Sequence, residues 1–208
     1  MKHIVSRQLY AYWNRRRGSQ PAPDRSSIEP YDLGPMLVDT FLLDLKGKDG
    51  TKFRFCGSSI AMRYGRDLAD EDFLSLWNED DRKSLSHHLT LMTQEAVPMT
   101  AGVVAETAGG GFMTFEMVLL PLSSSRGFDR AIGSLVRTGG HSDANPVGAR
   151  IVSQSLRSMR FLTPRTEPFG HAPDRAIPPP PSPGMSKVRR KYGHLVVMDG
   201  GKSARNVV

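Results

Sequence analysis

Residues 99–138 read MTAGVVAETAGGGFMTFEMVLLPLSSSRGFDRAIGSLVRT, a stretch of three apolar runs parted by glycine and serine. It separates into three predicted strands, Met99 to Glu106, Phe112 to Leu122 and Arg130 to Thr138, divided by Gly109-Gly110-Gly111 and by Ser123 to Phe128. β-Branched, aromatic and long apolar residues suit a pleated surface, whereas runs of Gly and Ser favour turns. The middle strand is apolar on both faces: Phe112, Val118 and Leu120 on one, Met113, Phe115, Met117 and Leu119 on the other. A sheet with one wet face would alternate cleanly, so something must cover the second face. An N-terminal helix carrying Trp13 and a partner subunit are the two candidates.

Upstream, Pro98 ends a helical region that runs from about Ser58 to Glu95, broken near Gly65 and around Trp77 to Asp80. Asn78 to Asp81 form a helix start, with acidic groups at the positive end of the helix dipole. Leu85, His88, Leu89 and Met92 share the buried face by their spacing, and His87 faces water. Earlier still, Val38 to Leu45 and Lys52 to Cys56 form a hairpin around Asp49-Gly50, a pair that tolerates positive φ. Alternation in the second strand points Phe53 and Phe55 inward, and Lys52, Arg54 and Cys56 outward. Two strands, several short helices and three strands predict an α+β domain with one five-stranded antiparallel sheet, the helices lying between strands 2 and 3. Before it, Val5, Leu9, Tyr12, Trp13 and Arg16 lie on one face of an N-terminal helix that Gly18 stops, followed by a Pro-rich connection.

Composition divides the 208 residues further. The net charge is +7, yet residues 1–139 hold 17 basic and 17 acidic side chains, and residues 140–208 hold 11 and 4. The last third also carries the run Pro178-Pro179-Pro180-Pro181. The expected organisation is a helix and connection (1–36), a neutral α+β domain (37–139) and a basic, Pro-rich, largely irregular tail (140–208). Within the tail, Ile151, Val152, Ser155, Leu156, Met159 and Leu162 suggest a basic amphipathic helix over 147–162. Cys56 is the single cysteine, which excludes an internal disulfide framework and a Cys-rich zinc site. No apolar run approaches the roughly 18 residues a spanning helix needs, and a cytoplasmic location is expected.

The order of elements and several local motifs resemble the PAS superfamily, and within it the single-PAS proteins common in alphaproteobacteria. The residues that carry the resemblance begin with Tyr12-Trp13, Arg17, Pro23-Asp24-Arg25, Ile28 and Pro30. FRFCGSSI (Phe53 to Ile60), YGRDL (Tyr64 to Leu68) and FLSLW (Phe73 to Trp77) follow, then EMVLLPL (Glu116 to Leu122) and IGSLV (Ile132 to Val136). The resemblance implies a sensory or protein-interaction module that binds a ligand between sheet and helices, or docks on kinases or on a second copy. It also implies a position for haem: His88 occupies the helix on which haem-binding members place an axial histidine. The plainer reading, a partly buried histidine in an ordinary hydrogen bond, is preferred, and no metal is assigned. Cys56 lies at a strand end, not in the helical segment where flavin-binding relatives carry a reactive cysteine, so it reads as a structural thiol.

The remaining candidates come from the residues themselves. Phe41, Phe55, Trp77, His88, Leu89, Met92 and Met117 are the expected ligand pocket or core. Glu116 either reads a ligand donor or pairs with a surface cation such as Arg54. Tyr10 and Trp13, with Tyr12, form either a partner-binding patch or a surface packed on the sheet. Arg189, Arg190 and Lys191 form a basic cluster suited to nucleic acid or an anionic membrane. Gly109-Gly110-Gly111 lacks the Lys-Ser/Thr and helix of a phosphate loop, and no nucleophile elbow or paired-His motif is present. A non-enzyme is expected. The leading function is a PAS regulator that binds a signalling partner such as a sensor kinase, as a homodimer or under control of a small ligand. The alternative is a basic adaptor that uses the tail and dimerises through the PAS domain.

Overall fold

Strand β1 (Thr40–Gly47) pairs antiparallel with β2 (Gly50–Cys56), forming the expected hairpin. The computed structural model describes residues 1–47, 50–141, 148–162, 191–192 and 195–196, so Asp49 of the hairpin lies outside them. After β2 come α3 (Ser58–Tyr64), a 3-10 turn (Phe73–Leu76) and α4 (Glu79–Glu95). Strands β3 (Met99–Thr107), β4 (Phe112–Ser124) and β5 (Gly127–His141) follow. Ahead of the sheet lie α1 (Ile4–Arg17) and α2 (Pro30–Leu33), with 3-10 turns at Arg25–Ser27 and Gly34–Asp39. The start of α4 follows its sequence signal: the Asn78 side chain accepts the Asp81 N–H at 2.9 Å, and Glu79, Asp80 and Asp81 fill the first turn.

The expected five strands are six. Residues Ile151–Phe161 form β6, and the antiparallel sheet runs β2-β1-β5-β4-β3-β6. The helix expected over 147–162 is therefore corrected to an edge strand beside β3. Two β-bulges explain the misreading. Gly102 faces Ser158 while Val103 faces Leu156, and Glu106 faces Ser153 while Thr107 faces Ile151, which leaves Arg157 and Val152 as extra residues. The inward positions become Ile151, Gln154, Leu156, Met159 and Phe161, a spacing of three and two that imitates a helical stripe. The free edge of β6 is partly covered by α4, whose Asp81 carboxylate accepts the Leu156 N–H at 2.8 Å.

A bulge also corrects β2. Leu42 faces Phe55 but Leu43 faces Phe53, so Arg54 is the extra residue. Phe53 points inward as expected, Cys56 turns inward against the core, and Phe55 swings to the outer face, where it is 36% exposed.

The two sides of the sheet bury separate cores. Between the inner face and the helices lie Phe41, Phe53, Phe73, Trp77, Leu85 and Met117, with Leu89 and Met92 from α4. On the outer face, Leu9, Tyr10, Tyr12 and Trp13 of α1 cover Val118, Leu120, Leu122 and Ile132. The two-sided strand is thus covered by the chain's own N-terminal helix. Gly133 is required between the layers, because a Cβ there would lie 2.4 Å from the Phe41 ring and 2.6 Å from the Val118 carbonyl oxygen. The chain divides into two units, Met1–Phe169 and Gly170–Val208; in the second, β7 (Lys191–Tyr192) pairs antiparallel with β8 (Leu195–Val196).

Candidate functional site

The inner core supplies the first candidate site. Phe41 of β1, Phe53 of β2 and Phe73 meet at ring-centroid distances of 5.7 to 6.1 Å, and Trp77 adds an edge contact to Phe73 at 5.9 Å. Edge-to-face and offset rings are the arrangements aromatic quadrupoles favour. With Met117, they leave a cavity of about 10 Å³. Space of that order admits about one water molecule. Pockets for drug-sized ligands measure roughly 300–1,000 Å³, so neither a haem nor a flavin fits this interior.

Polar groups border the same cavity. The Tyr64 hydroxyl of α3 donates to Oε1 of Gln154 of β6 at 2.5 Å, and both residues are buried. Burial raises the Tyr64 pKa, and the bond to Gln154 offsets only part of the rise. The Trp77 Nε1–H is buried with no hydrogen-bond partner among the described residues. The sequence pattern shows Trp77 but not Gln154, because the β6 bulges hide which tail residues face inward, and it carries Tyr64 only as part of the YGRDL motif.

On the outer face, α1 is tied down by named bonds. The Trp13 Nε1–H donates to the Pro121 carbonyl at 2.6 Å. Pro121 lies beyond the last β3–β4 pair, Met99 with Leu119, so its missing N–H removes no bond on that side. The Tyr12 hydroxyl accepts the Glu29 N–H at 3.1 Å and donates to Asp32, which also pairs with Arg16. Asp24 caps the Arg25–Ser27 turn, and the Ser123 N–H donates to the Pro23 carbonyl at 2.9 Å.

The family model described as PAS domain matches residues 1–136, which span both the N-terminal clamp (α1 bonded to the outer face of the sheet) and the inner core. This chain belongs to the PAS domain family. Strand β6 lies past the matched residues. Among solved structures, the PAS domain is similar to the dark structure of the blue-light photoreceptor Aureochrome1 LOV, with a TM-score of 0.41 and 11% identity over 56% of this chain and 86% of that one. No curated protein matches the chain.

The PAS domain places the sequence candidates as follows. Phe41, Trp77 and Met117 line the small cavity, and Leu89 and Met92 are buried in the same core. Phe55 is on the opposite face. His88 is half-buried at the seam between α4 and β6, not in the cavity: its ring stacks on Phe161 at 5.2 Å, and Nδ1 lies 2.7 Å from the Ser84 carbonyl. A carbonyl only accepts, so Nδ1 carries the proton in this bond. His87 is exposed, as expected. Tyr10 and Trp13 are buried under the PAS domain's own helix and offer no partner-binding patch. Arg189 and Arg190 lie outside the described residues, as does the side chain of Lys191.

Cys56 is chemically quiet. Burial, followed by the nearby Asp67 carboxylate, pushes its thiol pKa up to about 12, so little thiolate exists near neutral pH. Glu116 departs from both readings of its sequence. Arg54 pairs instead with Asp44 and Asp70 at 3.1 Å each. The Glu116 carboxylate accepts the backbone N–H groups of Lys2 at 2.6 Å and His3 at 3.1 Å, at the start of α1. Burial alone would raise its pKa, but these bonds outweigh burial and hold it below the ordinary carboxylate range.

Among the described residues, no group of three or more His, Cys, Asp or Glu side chains is placed to hold a metal ion. No described helix is long and apolar enough to cross a membrane.

Proposed function

We propose that this PAS protein is a non-catalytic, cytoplasmic regulator that signals by binding a partner, such as a sensor kinase, through its surface. The observation that carries the reading is the interior. The space between sheet and helices is filled by Phe41, Phe53, Phe73 and Trp77, and the remaining cavity is about 10 Å³. A domain whose interior is packed shut has its exterior for recognition. A ligand-controlled version requires the Phe73–Leu76 turn to move aside, and the unpartnered Trp77 N–H and the Tyr64–Gln154 pair would then be its polar anchors.

Interferometry with the cytoplasmic region of a sensor kinase and full-length protein tests this reading. Saturable binding that survives truncation after Leu162 is expected. Failure across a panel of such kinases would overturn it.

One observation favours the adaptor as a second reading. Residues 163–208 hold 8 basic and 3 acidic side chains, so most of the +7 lies beyond β6. Binding that vanishes on the same truncation and weakens steeply with salt would favour the adaptor.

A further inference from the structure

Helix α1 covers the outer face of the sheet over Val118, Leu120 and Ile132, but not the part toward the β3–β4 turn. There an open trough of about 580 Å³ runs across β4, β3 and β6. We infer that this trough binds an extended, acidic segment of a partner protein, with Arg157 and Arg160 of β6 as its charge-reading residues. The inference rests on the partner-binding reading of the domain, and it assigns that binding to a face separate from the closed interior.

Position and charge together select these two arginines, because they line the trough, whereas Arg15, also exposed and without an ion pair among the described residues, lies on α1 away from it. Elsewhere in the domain Arg16, Arg54, Arg63, Arg66, Arg126 and Arg130 each pair with a carboxylate. Arg157 and Arg160 are exposed, and their side chains have no ion pair or hydrogen bond among the described residues. Lys2 adds a third cation at the rim. The one carboxylate in the trough, Glu116, is already held by two backbone N–H groups. The trough therefore has a net positive charge. Arg157 is the extra residue of a β-bulge, a feature that re-aims a side chain.

The floor suits a peptide backbone. Thr114, Thr138 and Ser158 present hydroxyls, and Gly102 between them keeps the floor low. The Thr138 hydroxyl donates to that of Thr114 at 3.2 Å, leaving the Thr114 proton and the Ser158 hydroxyl for a ligand. Three residues along a strand separate the two arginine backbones by about 10 Å; same-face side chains of an extended chain recur every ~7 Å, and the long arginine side chains reach across the difference. Nucleic acid is the poorer fit. It draws affinity from many phosphate contacts and from aromatic stacking, and no exposed aromatic ring lines this trough.

Fluorescence anisotropy with full-length protein tests the inference, using a labelled peptide of alternating Glu and Ser. The same peptide with Gln for Glu and a short oligo-dT serve as competitors. The Glu peptide is expected to bind at least tenfold tighter than the Gln peptide. Arg157→Glu with Arg160→Glu should weaken it at least tenfold, whereas Arg189→Glu with Arg190→Glu should leave it unchanged. Circular dichroism checks that the trough variant is folded; if it is not, Arg160→Gln should still give a several-fold loss. Absence of Glu-peptide binding, binding lost only in the tail variant, or stronger oligo-dT binding through the same arginines would each overturn the inference. A protein that ignores the peptide yet holds a sensor kinase loses the trough but keeps the partner-binding reading.

Discussion

Trp13 joins the N-terminal helix to the sheet in two ways, by burying its ring over Val118 and Leu120 and by donating to the Pro121 carbonyl. Trp13→Ala is expected to cost about 3–5 kcal/mol in urea denaturation, the range for removing a large buried aromatic. Trp13→Phe keeps much of the ring but strands the carbonyl, at about 1–3 kcal/mol. Glu116 gives this clamp a pH dependence. Its folded pKa lies below the ordinary value of 4.5, so its stabilisation is present above that value and fades as pH falls through the folded pKa. The gap in melting temperature between wild type and Glu116→Gln should be widest near neutrality and close in acid. A gap that is constant with pH would refute the role. Single residues were legible where alternation ran unbroken, as at Phe41 and Phe53. They were lost one residue past a bulge, as at Phe55, because an extra residue inverts every later side chain.

At the level of elements, β6 shows what periodicity hides. Its inward residues look helical because two bulges stretch a two-residue repeat toward three. The first five strands of the sheet could be read from turns and β-branched or apolar runs, but the sixth needed its pairing with β3. Besides the contacts of β6 with α4, a buried side-chain pair ties the strand to α3. Gln154→Leu strands the buried Tyr64 hydroxyl and should cost about 1–3 kcal/mol. Adding Tyr64→Phe should recover most of that loss, since removing both partners leaves no buried polar group unsatisfied. A double variant as unstable as the sum of the two singles would show that the bond does not couple α3 to β6.

For the whole molecule, the charge count located a boundary but misplaced it. The excess begins after residue 139 in the sequence, yet the six-stranded sheet continues to Phe161. Truncation after residue 139 removes β6 and leaves β3 as a bare edge over exposed apolar partners, so that protein should aggregate or melt much earlier. Truncation after Leu162 should leave the melting temperature unchanged and reduce retention on a cation-exchange column. Equal stability of the two truncations would contradict β6 as part of the fold.

This PAS domain has its interior packed shut, which leaves its exterior for the partner binding proposed above. Native mass spectrometry of the purified full-length protein tests it most directly. The expected result is the bare chain mass, as monomer or dimer, with no small molecule retained. A stoichiometric ligand that is lost when Phe41 or Trp77 is substituted would contradict it.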